Sequence, residues 1–422
     1  MTDRDYRIAY PQLGSVLGEE EIDALAALIR SGQRLSQGRH RAAFERAFGE
    51  YVGVPHALSV TSGTVALEIA IRLLELRRGD EVIVTPQTYK ATIQPLLNYG
   101  ATVRFCDVDP LTLNATAETI EPLITSRTKA ILLVHYGGLP CDMDPIMELA
   151  RPRGITTVED CAHALGARYR GRRPGALADI GCFSFHTSKN ITTLGEGGMI
   201  TLADPALAER VERLRNNDSD AEFRVADRPI GSRTSAQPWM MHPGESFTHE
   251  CARVRYGGTN ATLAEPNAAV GLLQLAKLPG MVARRRAIAH RIGSVLDRFP
   301  GITGQPEPLE VEHAFHLMTF FVEPGSGIDR DRLVARLEAL GVQMQVRYFP
   351  LHLLAEWRAR GHGPGECPVA ERRWFEHQVN LPCHPGLTDE QVDLLAELLE
   401  TALLAETGAQ ELAEATFSEA AG

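Results

Sequence analysis

KAILLVHYGGLPCDMDPIMELARPRGITTVED, residues 129–160, decides the fold. It opens on an apolar, β-branched run, KAILLVH (129–135), and closes on another, ITTVED (155–160), with DPIMELARPRG (144–154) between them. The middle piece has the apolar spacing of a helix. A strand, a helix and a second strand in so short a stretch form a crossover, which makes the two strands parallel neighbours. Upstream the same alternation recurs in HALSV (56–60), TVALEIAIRLLEL (64–76), EVIVT (81–85) and ATVRFCDV (101–108). The expected architecture is an α/β domain with a mostly parallel mixed sheet sandwiched by helices.

Further along the chain the pattern changes. Residues 216–246 are polar, rich in Gly, Pro, Ser and Asn, and aperiodic. They are expected to form a long loop over a site or against a partner. LAEPNAAVGLLQLAKL (263–278) and ARRRAIAHRIGSVLDRF (283–299) read as two helices. FHLMTFFV (315–322) then predicts a strand, RDRLVARLEALG (330–341) a helix ending at glycine, and VQMQVRYF (342–349) another strand. TDEQVDLLAELLETALLAET (388–407) opens on a Thr-x-x-Gln cap and predicts a last helix. These pieces imply a large domain over 1–280, a smaller C-terminal α+β domain over 281–407 and a frayed tail over 408–422.

Bulk properties exclude several classes of function. A chain of 422 residues with 44% hydrophobic and 23% charged residues is an ordinary globular protein of two or three units. Its 54 acidic residues outnumber 43 basic ones, which argues against nucleic acid or an anionic membrane as partner. With neither a basic, apolar leader nor a run of about 20 apolar residues, the expected location is the cytoplasm. Cys106, Cys141, Cys161, Cys182, Cys251, Cys367 and Cys383 are scattered singly, so buried reduced thiols are expected and no metal.

In open sheets of this kind ligands collect beyond the carboxyl ends of the strands. Three features lie there. Ser62-Gly63-Thr64 sits between HALSV and a helix, where free backbone N–H groups and the helix dipole suit a phosphate; the plainer reading is an N-cap. Glu159-Asp160 ends an apolar strand. A carboxylate buried there needs a cation, such as the protonated pyridine nitrogen of pyridoxal 5′-phosphate (PLP), unless Asp160 simply caps the next turn at Ala162. Ser184-Phe185-His186-Thr187-Ser188-Lys189-Asn190, followed by Gly195-Glu196-Gly197-Gly198, places a lysine beside a turn that permits close backbone approach. A lone lysine is usually a solvated surface residue. In the order phosphate cradle, aspartate, Ser-x-x-x-x-Lys and glycine turn, it reads as an amine that reaches a cofactor aldehyde.

These motifs, together with TKAILLVHYGGLPCDMDPI (128–146), VEDCAHALGA (158–167), DIGCFSFHTSKNITTLGEGGMI (179–200), GGTN (257–260), PLH (350–352) and LPCHPGLTDEQVD (381–393), resemble the PLP-dependent sugar aminotransferases of the DegT/StrS type. That family lies in the fold type I, aspartate aminotransferase superfamily. The resemblance implies that Lys189 is the internal-aldimine lysine, Asp160 the partner of the pyridine nitrogen, and His163 a catalytic residue beside the ring. It implies phosphate contacts from Ser62, Gly63, Thr64 and Ser184, and an aromatic cover from Tyr89. Asn260 matches a residue that reaches the cofactor of the neighbouring subunit, which implies a homodimer with composite sites. Substrate contacts are expected from His186, Arg347 and His352.

The implied reaction moves an amino group from L-glutamate or L-glutamine to a keto-sugar, usually nucleotide-linked, or to a keto-cyclitol. Two other readings stand beside it. In PLP-dependent sugar dehydratases or deoxygenases of this fold histidine commonly replaces the lysine, so Lys189 argues against that chemistry; a non-catalytic regulatory protein is favoured by a missing Lys or Asp, and both are present. The Ala/Arg/Leu-rich composition is associated with natural-product biosynthesis. Departures from the family pattern are Ala261-Thr262 in place of an aromatic and Arg, Arg347 in place of a His, an extra Leu194 before the glycine turn, and a TPQTYKAT segment (85–92) one residue short.

Overall fold

The computed structural model describes residues 5–217 and 257–408. The expectations for the loop within 218–256, for Cys251 and for the tail from 409 lie outside the described residues.

The large sheet takes strands β1 (His56–Val60), β2 (Glu81–Val84), β3 (Thr102–Phe105), β4 (Thr128–Val134) and β5 (Thr156–Asp160) from the first part of the chain. After a short β6 (Arg168–Tyr169) it is completed by β7 (Ile180–Ser184) and β8 (Gly198–Leu202). The spatial order is β1-β8-β7-β5-β4-β2-β3, parallel except where β8 meets its two neighbours. Register places Val134, Asp160 and Cys182 side by side, so the carboxyl ends of β4, β5 and β7 reach one edge together.

Helices cover both faces, and the strands show why. Val82, Val84, Leu132 and Val134 pack with Leu67 and Ile71 of α3 (Gly63–Leu73), while the alternate residues Ile83, Ile131 and Leu133 pack with Ile146 and Met147 of α5 (Met143–Ala150). Period-two side chains that are apolar on both faces need this double cover. α1 (Glu19–Arg30), α2 (Arg39–Val52), α4 (Ala117–Ile120) and α6 (Pro205–Arg215) complete this part. No helix among the described residues is long and apolar enough to cross a membrane.

The two helices expected over 263–299 are one, α7 (Glu265–Leu296), 32 residues long with Pro279 inside it. Leu275, Leu278, Met281 and Val282 pack in one core, and Ile288, Ile292 and Val295 in another. Packing on both sides holds the helix across a proline that would otherwise break it. Pro279 and Gly280 lie on its exposed side, where water can satisfy the freed carbonyl.

Beyond α7 come β9 (Ile302–Gly304), β10 (Val311–Glu312), which pairs with β6, and β11 (Met318–Val322). α8 (Arg330–Ala339), α9 (Ala355–Arg358), α10 (Pro368–Arg372), β12 (Gln378–Leu381) and α11 (Asp389–Thr407) follow, and the small sheet has the order β12-β11-β9. The strand expected over 342–349 is absent. That segment makes only isolated bridges, Val342 with Ile8 and Gln345 with Asn380, because its backbone is tied to side chains such as Asn380 Oδ1 and not to a ladder. A division at residue 280 falls inside α7. Ile8 packs in the C-terminal core, whereas Leu351, Trp357, Cys367 and Ala370 pack in the core of the large sheet. We propose the boundary as one between cores, each of which borrows chain from the other's span.

Candidate active site

Backbone geometry first fixes where the lysine stands. Beyond β7 the chain folds back on the glycine turn: Phe185 N–H donates to Gly197 O at 2.8 Å, Thr187 N–H to Gly195 O at 2.9 Å, and Lys189 N–H to His186 O at 2.8 Å. The turn needs a left-handed backbone, φ +63° at the extra Leu194 and +113° at Gly195. A Cβ on Gly63 would stand 2.6 Å from Ser184 Cβ, and one on Gly198 2.9 Å from Gly63 N. Two glycines thus let the N-terminus of α3 press directly on β7 and β8.

Asp160, the last residue of β5, is 5% exposed. Its carboxylate accepts from Thr92 Oγ1 at 2.7 Å and from Ala162 N–H at 3.0 Å, so it caps the following turn and also borders the cavity beyond the sheet. Its neighbour Glu159 points the other way, 2.8 Å from His135 Nε2 and holding the N–H groups of Gly175, Leu177 and Ala178. Alternation along the strand has separated the two acids.

Ser62, Gly63 and Thr64 from the start of α3, Asp160 and His163 after β5, and Ser184 and Lys189 after β7 border one cavity of about 430 Å³. Tyr89, His186 and Arg347 join them, with Tyr89 51% exposed at the rim. Asn260 does not line the cavity; it is exposed and bridged to Asn216. His352 is a correction. It is fully buried with Nε2 2.8 Å from Glu371 and its ring 5.7 Å from Phe105, and it does not reach the cavity. The Leu351–Leu353 turn that carries it packs into the large sheet's core through Leu351.

Sequence reasoning missed Thr92, which holds Asp160, and Tyr348 and His316, which hold His163. The His163 ring stacks on His316 at 4.5 Å and lies parallel to Tyr348 at 5.6 Å, with its Nε2 3.2 Å from the Tyr348 hydroxyl. For Thr92 there was a signal, its position three residues after Tyr89. Nothing local marks His316.

Burial dominates the electrostatics. It is the largest of the effects that together bring the Lys189 amine down to about 8; Asp160 opposes it and Arg347 adds to it. Burial raises the Asp160 carboxyl, against the hydrogen bonds from Thr92 and Ala162 and the nearby Lys189. Burial, then the neighbouring Lys189 and Arg347, hold His163 far below the usual histidine range, so the ring is neutral.

The groups fit PLP. A helix N-terminus lined by small residues meets a phosphate, a buried carboxylate meets a ring cation, and a partly neutral amine meets an aldehyde. His163 Nδ1, buried and without a hydrogen-bond partner among the described residues, offers a further polar contact.

Comparison with known proteins identifies the family. The model of the DegT/DnrJ/EryC1/StrS aminotransferase family matches residues 15–400. GDP-perosamine synthase of Caulobacter vibrioides is 35% identical over 370 residues, covering 87% of this chain and 91% of that protein. The crystal structure of the aminotransferase TlmJ from Streptoalloteichus hindustanus is similar at a TM-score of 0.82 and 32% identity, over 94% of this chain and 100% of that one. The PLP form of Spr1654 from Streptococcus pneumoniae is similar at a TM-score of 0.80 and 27% identity, over 94% and 99%.

Proposed function

Since the chain belongs to the DegT/DnrJ/EryC1/StrS aminotransferase family and is a PLP-dependent aminotransferase, we propose that it moves the amino group of L-glutamate or L-glutamine onto a keto-sugar, nucleotide-linked, or onto a keto-cyclitol. The observation that carries this reading is the single cavity bordered by the Lys189 amine, the Asp160 carboxylate and the N-terminus of α3.

When bound, PLP supplies an aldehyde to receive the amino group and a ring that withdraws electrons from the carbon losing its proton. The rest is the work of side chains. Lys189, brought down to about 8, has a substantial neutral fraction near neutral pH, which lets it act as nucleophile and then carry the proton at the reacting carbon. Asp160 keeps the ring nitrogen protonated, and Thr92 and the Ala162 N–H keep Asp160 itself oriented. Ser62, Gly63, Thr64 and Ser184 anchor the phosphate, His163 borders the ring and Tyr89 covers it. Arg347 and His186, both at the cavity, meet the anionic groups of donor and acceptor. Asn260, exposed and away from this cavity, reaches the cofactor of a second subunit in a homodimer. The lysine in the cavity weighs against the dehydratase reading. The net acidic, Ala/Arg/Leu-rich composition supports a cytoplasmic enzyme of natural-product biosynthesis.

The test is spectroscopic. PLP-loaded protein given L-glutamate or L-glutamine is expected to pass to the pyridoxamine form, and then to return to the PLP form with one member of a panel of nucleotide keto-sugars and keto-inositols. If no amino acid converts the cofactor, the proposal is wrong.

A further inference from the structure

Residues 8–14 connect two places that the chemistry depends on. At one end Ile8 N–H donates to Gly341 O at 3.1 Å and Ile8 O accepts from Gln343 N–H at 2.8 Å. Tyr10 N–H donates to Gln343 Oε1 at 2.8 Å, and the Arg347 guanidinium lies 5.2 Å from the centre of the Tyr10 ring. At the other end Gly14 N–H donates to Thr187 O at 2.9 Å. A Cβ on Gly14 would overlap the Ser188 carbonyl and stand 2.6 Å from Lys189 O, so only glycine allows this segment to lie against the lysine-bearing loop.

Arg285 of α7 fastens that contact. Its guanidinium is 1% exposed and donates to Gly14 O at 2.6 Å, Cys383 O at 2.5 Å and Phe315 O at 3.1 Å. Arg285 makes no ion pair with a carboxylate among the described residues. A buried cation without a counter-ion is a poor way to gain stability, since an apolar side chain of similar volume avoids the desolvation cost. What the planar fork adds is geometry: three carbonyls, each from a distant segment, are held in fixed relation. Neither Gly14 nor Arg285 lines the cavity.

We propose that Gly14 and Arg285 are positioning residues for Lys189, acting through a strap, residues 8–14, that sets the lysine-bearing loop in place relative to Arg347. The inference rests on Lys189 being the reacting amine. The charged and titratable groups that bear on that amine are Asp160 from β5 and Arg347 from the C-terminal segment, with His163 and His316 close enough to feel its charge. A shift of the strap changes their spacing without removing any of them.

The test measures a single lysine. In PLP-free protein, acetylation of Lys189 by acetic anhydride is followed against pH by peptide mass spectrometry, and the PLP dissociation constant is measured separately. The unaltered chain is expected to show a midpoint near 8. Gly14→Ala and Arg285→Lys, read in whichever folds, are expected to raise the midpoint by about half a unit or more, as the amine loses burial, and to weaken PLP binding about tenfold. A folded variant with the unaltered midpoint and affinity overturns the strap. A borohydride-reduced PLP adduct that maps to another lysine in the unaltered chain instead overturns the reading of Lys189. Should neither variant fold, hydrogen exchange of the unaltered chain decides: protection of residues 8–15 within about tenfold of that of 186–190 supports the strap, and strap amides exchanging about a hundredfold faster overturn it.

Discussion

One part of the cavity is made by residues that directly follow strands, and another by residues that follow nothing regular. Ser62 comes two positions after β1, Asp160 and Ser184 end β5 and β7, and Lys189 lies five residues past β7. Arg347 and Tyr348 stand in a segment with no ladder. Asn380 Oδ1 accepts the Arg347 N–H at 2.8 Å, while the Arg347 carbonyl accepts from Tyr136 and Gln378. The first group is placed by local backbone, the second by a polar network drawn from remote parts of the chain. Ser62, Asp160 and Ser184 ought therefore to tolerate distant substitutions, whereas the second group, and Lys189 through its contact with the 8–14 strap, ought to be sensitive to them.

The largest expected effect tests the strand-end group. Lys189→Ala is expected to abolish turnover and to remove the absorbance of lysine-bound PLP; a variant that keeps both would refute the site. Asp160→Asn, which can still accept from the Ala162 N–H but would have to donate to the Thr92 hydroxyl, is expected to lower kcat about 10²- to 10³-fold. Titration of Lys189 sharpens the contrast, because the two groups act on it with opposite sign. Asp160 raises the amine's pKa, so Asp160→Asn should move the midpoint further below about 8. Arg347 lowers it, so Arg347→Gln should move it up toward the ordinary lysine range. Parallel shifts in the two variants would break the comparison.

The same contrast explains what was legible beforehand. HALSV is β1 to the residue, and the Thr388–Gln391 cap is present as read, because strand period and cap spacing are local properties of the chain. Lys189, Asp160 and the Ser62–Thr64 turn, read from similarly local signals, border one cavity. The 342–349 segment alternates like a strand, but its backbone N–H groups go to the Ile8 carbonyl and to the side chains of Glu338 and Asn380 and not to a ladder. The helix α7 was split at Pro279 because propensity cannot see the two cores that hold it. His316, Tyr10, Gly14 and Arg285 carry no motif; each matters through a residue far away in sequence.

A smaller effect probes the network directly. Tyr136→Phe removes a hydroxyl that donates to the Arg347 carbonyl and accepts from Gln378 Nε2 at 2.7 Å. One hydrogen bond of this kind is worth about 0.5–1.5 kcal/mol. KM for the amino donor is expected to rise about 3- to 10-fold with kcat nearly unchanged, if Arg347 has the donor-binding role proposed for it. A fall in kcat alone would mean that Tyr136 serves the strand-end group instead.

The smallest effect on activity is expected at His352. His352 follows Arg347 by five residues, yet its ring is fully buried beside Phe105 and bonded to Glu371, a carboxylate that also accepts the Gly365 N–H at 2.8 Å. His352→Ala leaves both a hole and a carboxylate short of a partner, which together cost about 2–4 kcal/mol. A thermal melt should therefore drop by several degrees, while kcat/KM for donor and acceptor stays within about twofold at a temperature where the variant is folded. A raised acceptor KM with an unchanged melt would return His352 to the substrate and show that the segment reaches the cavity by a route that packing against Phe105 denies it.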